Sequence, residues 1–137
     1  MRVYFDSSAF AKRYIDEAGT VDVLHWCEQA RELAMSVIAL PELISAFSRL
    51  RREARINADH YAQIKGELLG DIADALMIDT TPQVIQHSIR AIELHALRGM
   101  DAIHIGAALS WPADVFVSAD VRQCDAAEAL GLRVAAL

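Results

Sequence analysis

Five short apolar runs alternate along the chain with segments of helical periodicity, and this alternation is what most limits the fold. Residues 2–5, 33–38, 75–79, 114–118 and 132–136 read as strands. Strands joined through helices do not pair as tight hairpins. The pattern argues for a mostly parallel sheet with helices covering both faces. In sheets of this kind, sites form beyond the carboxyl ends of the strands.

The intervening segments carry their own punctuation. "SSAFAKRYIDEAG" reads as a short helix and a turn closed by Gly19. Thr20 is expected to cap a helix carrying Val23, Leu24, Cys27 and Ala30. A helix from about Leu40 places Leu40, Leu43, Ile44, Phe47 and Leu50 at helical spacing. Asn57 is expected to cap a helix with the stripe Tyr61, Ile64, Leu68 and Ile72. Thr81 and Pro82 form a cap and first-turn pair, and the helix after them carries Ile85, Ile89, Ile92 and Ala96 on one face. Gly99 interrupts that pattern, "MDAIHIGAALS" starts a new helix, and "DVRQCDAAEAL" is a helix stopped by Gly131.

No repeat, linker or low-complexity segment divides the 137 residues, so a single domain over 1–137 is expected. Hydrophobic residues make up 54% of the chain, enough for a full core. Charged residues nevertheless interrupt every apolar run before it reaches membrane-spanning length, so no membrane association is expected. Asp6 breaks the one apolar run at the N-terminus, which therefore lacks a secretory pattern. Cys27 and Cys124 lie far apart without a C-x-x-C, as reduced thiols of a cytoplasmic protein would.

A net charge of −6 argues mildly against a nucleic-acid partner. Acids that bind metal, however, do not present their charge to a phosphate. The basic residues are also clustered, with Arg49, Arg51, Arg52 and Arg55 close together, although such a cluster is ordinarily a solvated helix face.

The acids are distributed in a more telling way. Asp6 ends the first strand, Glu42 falls in the first helical turn after the second, and Asp120 follows the fourth. Asp101 opens a helix whose other residues are nearly all small or apolar. Each of Asp101 and Asp120 taken alone is as readily an N-cap. Taken together, the acids would converge on one edge of a parallel sheet. Ionised carboxylates sharing a pocket repel each other. A hard divalent cation such as Mg²⁺ resolves that, and its natural chemistry is attack of water on a phosphodiester.

"VYFDSSAFAKRYIDEAG", "MSVIALPELISAFSRL", "LRGMDAIHIGAAL" and "FVSADVRQCDAAEALGLRV" together resemble the signature regions of PIN-domain ribonucleases, and most of all the VapC-like toxins of bacterial toxin–antitoxin pairs. The resemblance implies a three-layer α/β/α sandwich with a central parallel five-stranded sheet. It implies a Mg²⁺- or Mn²⁺-dependent endoribonuclease leaving 5′-phosphate and 3′-hydroxyl ends. The acids of the family fall on Asp6, Glu42, Asp101 and Asp120. Asp6 and Asp101 would be the main ligands of a first metal, while Glu42 and Asp120 would serve a second metal or the attacking water. An RNA substrate, a cognate antitoxin and a homodimer are the implied partners. Some relatives carry a further acid near the last, but Asp125 lies inside the final helix and is not assigned.

Neighbouring residues have simpler readings. His104, one turn after Asp101, is read as packed or supporting rather than as a ligand. Ser7 and Ser118 either orient an acid or make turns. Lys12, Arg13 and Arg122 stand near the acids, where exposed helix charges need no special role. Phe10, Tyr14 and Trp26 read as core or dimer-interface residues. Two alternatives remain at this stage. One is a catalytically silent PIN-fold module binding RNA or protein. The other is a haloacid-dehalogenase-like phosphatase, which normally has a second Asp two residues after the first, where this chain has Ser8.

Overall fold

A computed structural model covering residues 1–137 contains five strands and seven α-helices. In chain order they are β1 (Arg2–Phe5), α1 (Ser7–Phe10), α2 (Thr20–Gln29), β2 (Glu32–Ser36), α3 (Ala39–Arg52), α4 (Ala58–Asp74), β3 (Leu76–Ile78), α5 (Pro82–Leu94), α6 (Gly99–Ser110), β4 (Val115–Ser118), α7 (Val121–Ala129) and β5 (Val134–Ala136). A 3₁₀ turn, Ala11–Arg13, extends α1. The strands form one sheet of order β3-β2-β1-β4-β5, with every neighbouring pair parallel. No helix is long and apolar enough to cross a membrane.

The alternation of side chains along the strands builds two cores. Val3, Phe5, Met35, Val115 and Val117 point to the layer of α1–α4, where they meet Phe10, Val23, Leu43, Phe47, Ile64 and Leu68. Tyr4, Ala34 and Phe116 point to the layer of α5–α7. The chain runs outward from β1 through β2 to β3, then returns to place β4 on the other side of β1. The direction of winding therefore reverses between β1 and β4, and the crevice beyond their carboxyl ends is where a site belongs.

Several boundaries differ from the sequence reading. The second strand stops at Ser36 rather than 38, because Ile38 N–H turns back onto Ser36 Oγ at 3.2 Å. The third shortens to Leu76–Ile78. Thr20 does not cap α2: Gly19 holds the cap position at φ +95°, and the Thr20 hydroxyl instead braces the preceding loop by donating to Lys12 O at 2.8 Å. Asn57 and Thr81 do cap α4 and α5, accepting from His60 N and Val84 N.

The largest difference concerns α5. Its aliphatic row Ile85, Ile89 and Ile92 is exposed, at 39%, 50% and 42%. Ala96 lies past the end of the helix. The buried face is Val84, Ser88 and Ala91, small enough for α6 to approach closely. A Cβ added to Gly106 of α6 would lie 2.5 Å from both Ser88 Oγ and Val84 O. Gly106→Ala is therefore expected to destabilise the fold by about 1–3 kcal/mol. Gly66→Ala on α4, where nothing lies within 4 Å, should instead stabilise by up to about 1 kcal/mol. Thermal denaturation of the two variants beside wild type checks both signs.

Candidate active site

β1 carries its chain directly into the crevice, where Asp6 is fully buried. A carboxylate there needs partners, and the local sequence supplies them. Asp6 Oδ1 accepts from Ser8 Oγ at 2.7 Å and from Ala9 N at 2.9 Å, which makes Asp6 the N-cap of α1. Oδ2 accepts from Ser118 Oγ at 2.5 Å, joining the ends of β1 and β4. Burial raises the Asp6 pKa despite these bonds.

Ser118 also accepts from Asp120 N at 3.0 Å, and Asp120 Oδ1 caps α7 by accepting from Gln123 N at 3.1 Å. The capping reading of Asp120 is thus correct as far as it goes. It fails for Asp101, because α6 is capped at Arg98 without a side-chain bond. Asp101 Oδ1 accepts instead from Gln123 Nε2 at 3.2 Å, across from α7. Burial raises the Asp101 pKa, and the nearby charges of Asp120 and Glu42 add to the shift.

Glu42, half-buried in the first turn of α3, is gripped at Oε1 by Ser7 Oγ and by His104 Nε2, each at 2.7 Å. Burial alone would raise its pKa, but these bonds outweigh it and hold the group below the ordinary carboxylate value. His104 is buried and ends in a hydrogen bond to Tyr4 Oη at 2.9 Å, so the supporting reading of this histidine describes its contacts.

The four acids thus gather at one end of the sheet, each with an oxygen committed to orientation. Glu42 Oε2, Asp101 Oδ2 and Asp120 Oδ2 receive no hydrogen bond from the protein. As they stand, no three acidic, imidazole or thiol groups converge closely enough to enclose an ion unaided. The donor set still fits a hydrated Mg²⁺, which keeps several waters and takes one or two carboxylates from a protein. The hard oxygens, and the charges of Asp120 and Glu42 pressing on Asp101, speak for such an ion, while the one imidazole beside them, His104, has both nitrogens engaged by Tyr4 and Glu42 and so adds no ligand of a structural zinc site.

Asp125 is exposed and stays outside the cluster. Arg13 is engaged by Asp71 at 2.9 Å and Lys12 by Glu17 at 3.2 Å, while Arg122 is exposed. Arg49, Arg51, Arg52 and Arg55 are likewise exposed. Phe10 is core, and Tyr14 and Trp26 pack partly buried against it. Sequence reasoning missed Tyr4, Ser8 and Gln123. The phenol between Val3 and Phe5 in the middle of β1 was the one available signal for Tyr4; nothing in the local pattern marks the other two.

A carboxyl whose pKa is raised by folding binds protons more tightly folded than unfolded. Stability is then lost as pH climbs from the ordinary value of 3.8 through the raised one. Metal-free Asp6→Asn, which keeps an oxygen for the cap, should therefore melt above wild type at pH 7. The gap should close as pH falls toward 3.8, and melting curves across that range check it.

A family profile described as PIN domain matches residues 3–129. Ribonuclease VapC45 and ribonuclease VapC49, from two strains of Mycobacterium tuberculosis, are each 31% identical to the chain over 135 residues, covering 97% of it and 94% of the relative. The solved structure of VapBC2 from Rickettsia felis, bound to a DNA fragment from its promoter, superposes with a TM-score of 0.72 at 12% identity. It covers 100% of this chain and 99% of that one, a likeness of fold.

Proposed function

The chain belongs to the PIN-domain family, among the relatives of VapC ribonucleases, and from that premise we propose that it is a Mg²⁺- or Mn²⁺-dependent endoribonuclease, the toxin of a toxin–antitoxin pair in the cytoplasm. The observation that carries this reading is the gathering of Asp6, Glu42, Asp101 and Asp120 at the switch point of a parallel sheet, with free oxygens on three of them.

Asp6 and Asp101 would be the main ligands of the ion, and Glu42 and Asp120 would complete the site. When bound, the ion neutralises charge on the scissile phosphate and lowers the pKa of water in its shell. The protein's share is positional. Ser118 and the α1 backbone keep Asp6 from rotating, and Gln123 keeps Asp101 facing α7. Glu42, held below its ordinary pKa, stays ionised at neutral pH, and its free Oε2 would orient the attacking water. Purified protein should cleave RNA with Mg²⁺ or Mn²⁺ and stop in EDTA. Asp101→Asn should lower kcat by at least about 100-fold, the upper end for residues that only orient ligands. A gel-based cleavage assay reads both, and cleavage that persists in excess chelator rules the metal out.

An antitoxin would find a docking surface beside these acids. A cleft of about 630 Å³ between the 3₁₀ turn and α3 is lined by Ala11, Ile15, Pro41, Phe47 and Leu50, and reaches Glu42. An apolar partner segment would lie along it and place an Arg among the acids, where a planar guanidinium pairs with carboxylates bidentately. Changing that Arg to Ala in the partner should restore cleavage more than it weakens binding, as measured by co-purification and cleavage of the complex. The same reading makes the protein a homodimer, with the exposed Ile85, Ile89 and Ile92 row as the face a second copy covers.

A further inference from the structure

Behind Glu42 runs a chain of buried polar groups that composition gives no reason to expect. Tyr4 sits in the middle of β1 with no exposure, its ring stacked on Phe116 at 5.5 Å between centroids. Its hydroxyl accepts from Ser36 N at 3.0 Å, at the end of β2. It also lies 2.9 Å from Nδ1 of His104, which is 2% exposed. On the far side of that imidazole, Nε2 lies 2.7 Å from Glu42 Oε1 and 3.2 Å from Ser7 Oγ. The route crosses from the sheet through α6 to α3.

Counting donors and acceptors settles the protons. A phenol with its ordinary pKa of about 10 keeps its proton at neutral pH. That proton has one acceptor in reach, His104 Nδ1, because Ser36 N is itself a donor. Nδ1 must then be bare, and the ring N–H stands at Nε2, where it donates to Glu42. The opposite tautomer would leave the Tyr4 proton without an acceptor and set a bare Nε2 against a carboxylate oxygen.

We propose that Tyr4 and His104 are positioning residues of the active site: the Tyr4 hydroxyl fixes His104 in the Nε2–H tautomer, and that N–H locks the Glu42 carboxylate in its working orientation. Glu42 needs such a lock, since it is half-exposed on a first helical turn and only Ser7 otherwise holds it. The inference rests on the reading of Glu42 as a site acid. Oε1 is spent on orientation, and Oε2 is left for the reaction.

The test compares His104→Leu, His104→Gln and Tyr4→Phe with wild type in the full-length protein. Cleavage kinetics, Mn²⁺ binding by calorimetry, thermal melts and ¹⁵N spectra of the imidazoles are the readouts. His104→Leu should lower kcat about 10–100-fold with little change in KM, and should weaken Mn²⁺ binding. His104→Gln carries an amide N–H near the place of Nε2 and should recover most of the lost kcat, which a merely space-filling role would not explain. Wild type should show a protonated Nε2 and a bare Nδ1 at His104, and Tyr4→Phe should lose that single pattern together with part of kcat. If His104→Leu does not fold, the Tyr4→Phe spectrum and kcat decide the matter. Folded His104→Gln as slow as His104→Leu, or Tyr4→Phe unchanged in both spectrum and kcat, overturns the inference. Active wild type beside an equally active His104→Leu removes the inference alone. Wild type that neither binds Mn²⁺ nor cleaves RNA removes the nuclease reading, and the inference with it.

Discussion

Asp6 is a carboxylate with no access to solvent, and the architecture around it answers the cost of that burial. Ser8 and the Ala9 amide come from the turn that follows it in sequence, so part of the answer is local. Ser118 comes from the far end of the chain, and it can reach Asp6 because β4 pairs directly with β1. The strand order thus converts an isolated charge into a junction between two parallel strands. Asp120 is tied to the same junction through Ser118 Oγ, so two of the acids share one hydroxyl as their reference point.

Glu42 and Asp101 reach the crevice from the opposite helical layers. α3 belongs to the face with Val3 and Phe5, and α6 to the face with Tyr4 and Phe116. His104 bridges the layers, and its other nitrogen is anchored by a phenol inside the sheet. Gln123 makes the matching link from α7 to Asp101. The acids are therefore supported by residues on elements other than their own, which is how a rigid scaffold holds charges that would otherwise drive each other apart.

The placement of α5 follows from the same demand. α6 must lie close enough to the sheet to bring Asp101 and His104 to the crevice. Its buried side is accordingly Ala102, Ile105, Gly106, Ala107 and Ala108, and α5 meets it through Ser88, Val84 and Ala91. Close packing by small residues leaves the larger isoleucines of α5 on the outside. An aliphatic row that looks like core by its spacing becomes an exposed surface, available to a partner.

Much of this was legible in the linear chain. Alternating strand and helix patterns imply a mostly parallel sheet because a helical crossover is the connection that parallel neighbours need. Acids at strand ends imply a shared site because those ends point one way. The caps at Asn57 and Thr81 were readable because capping is a contact between residues three apart. Strand order, the outward turn of α5, the Tyr4–His104–Glu42 relay and the Gln123 bond to Asp101 were not readable, since each joins residues 22 to 100 positions apart or depends on which face a neighbour occupies. Periodicity states that a helix has an apolar side, but the small residues of another helix decide which side is buried. Local chemistry thus determined the elements and the acids they carry, and only the packing of the layers decided which polar groups would hold those acids in place.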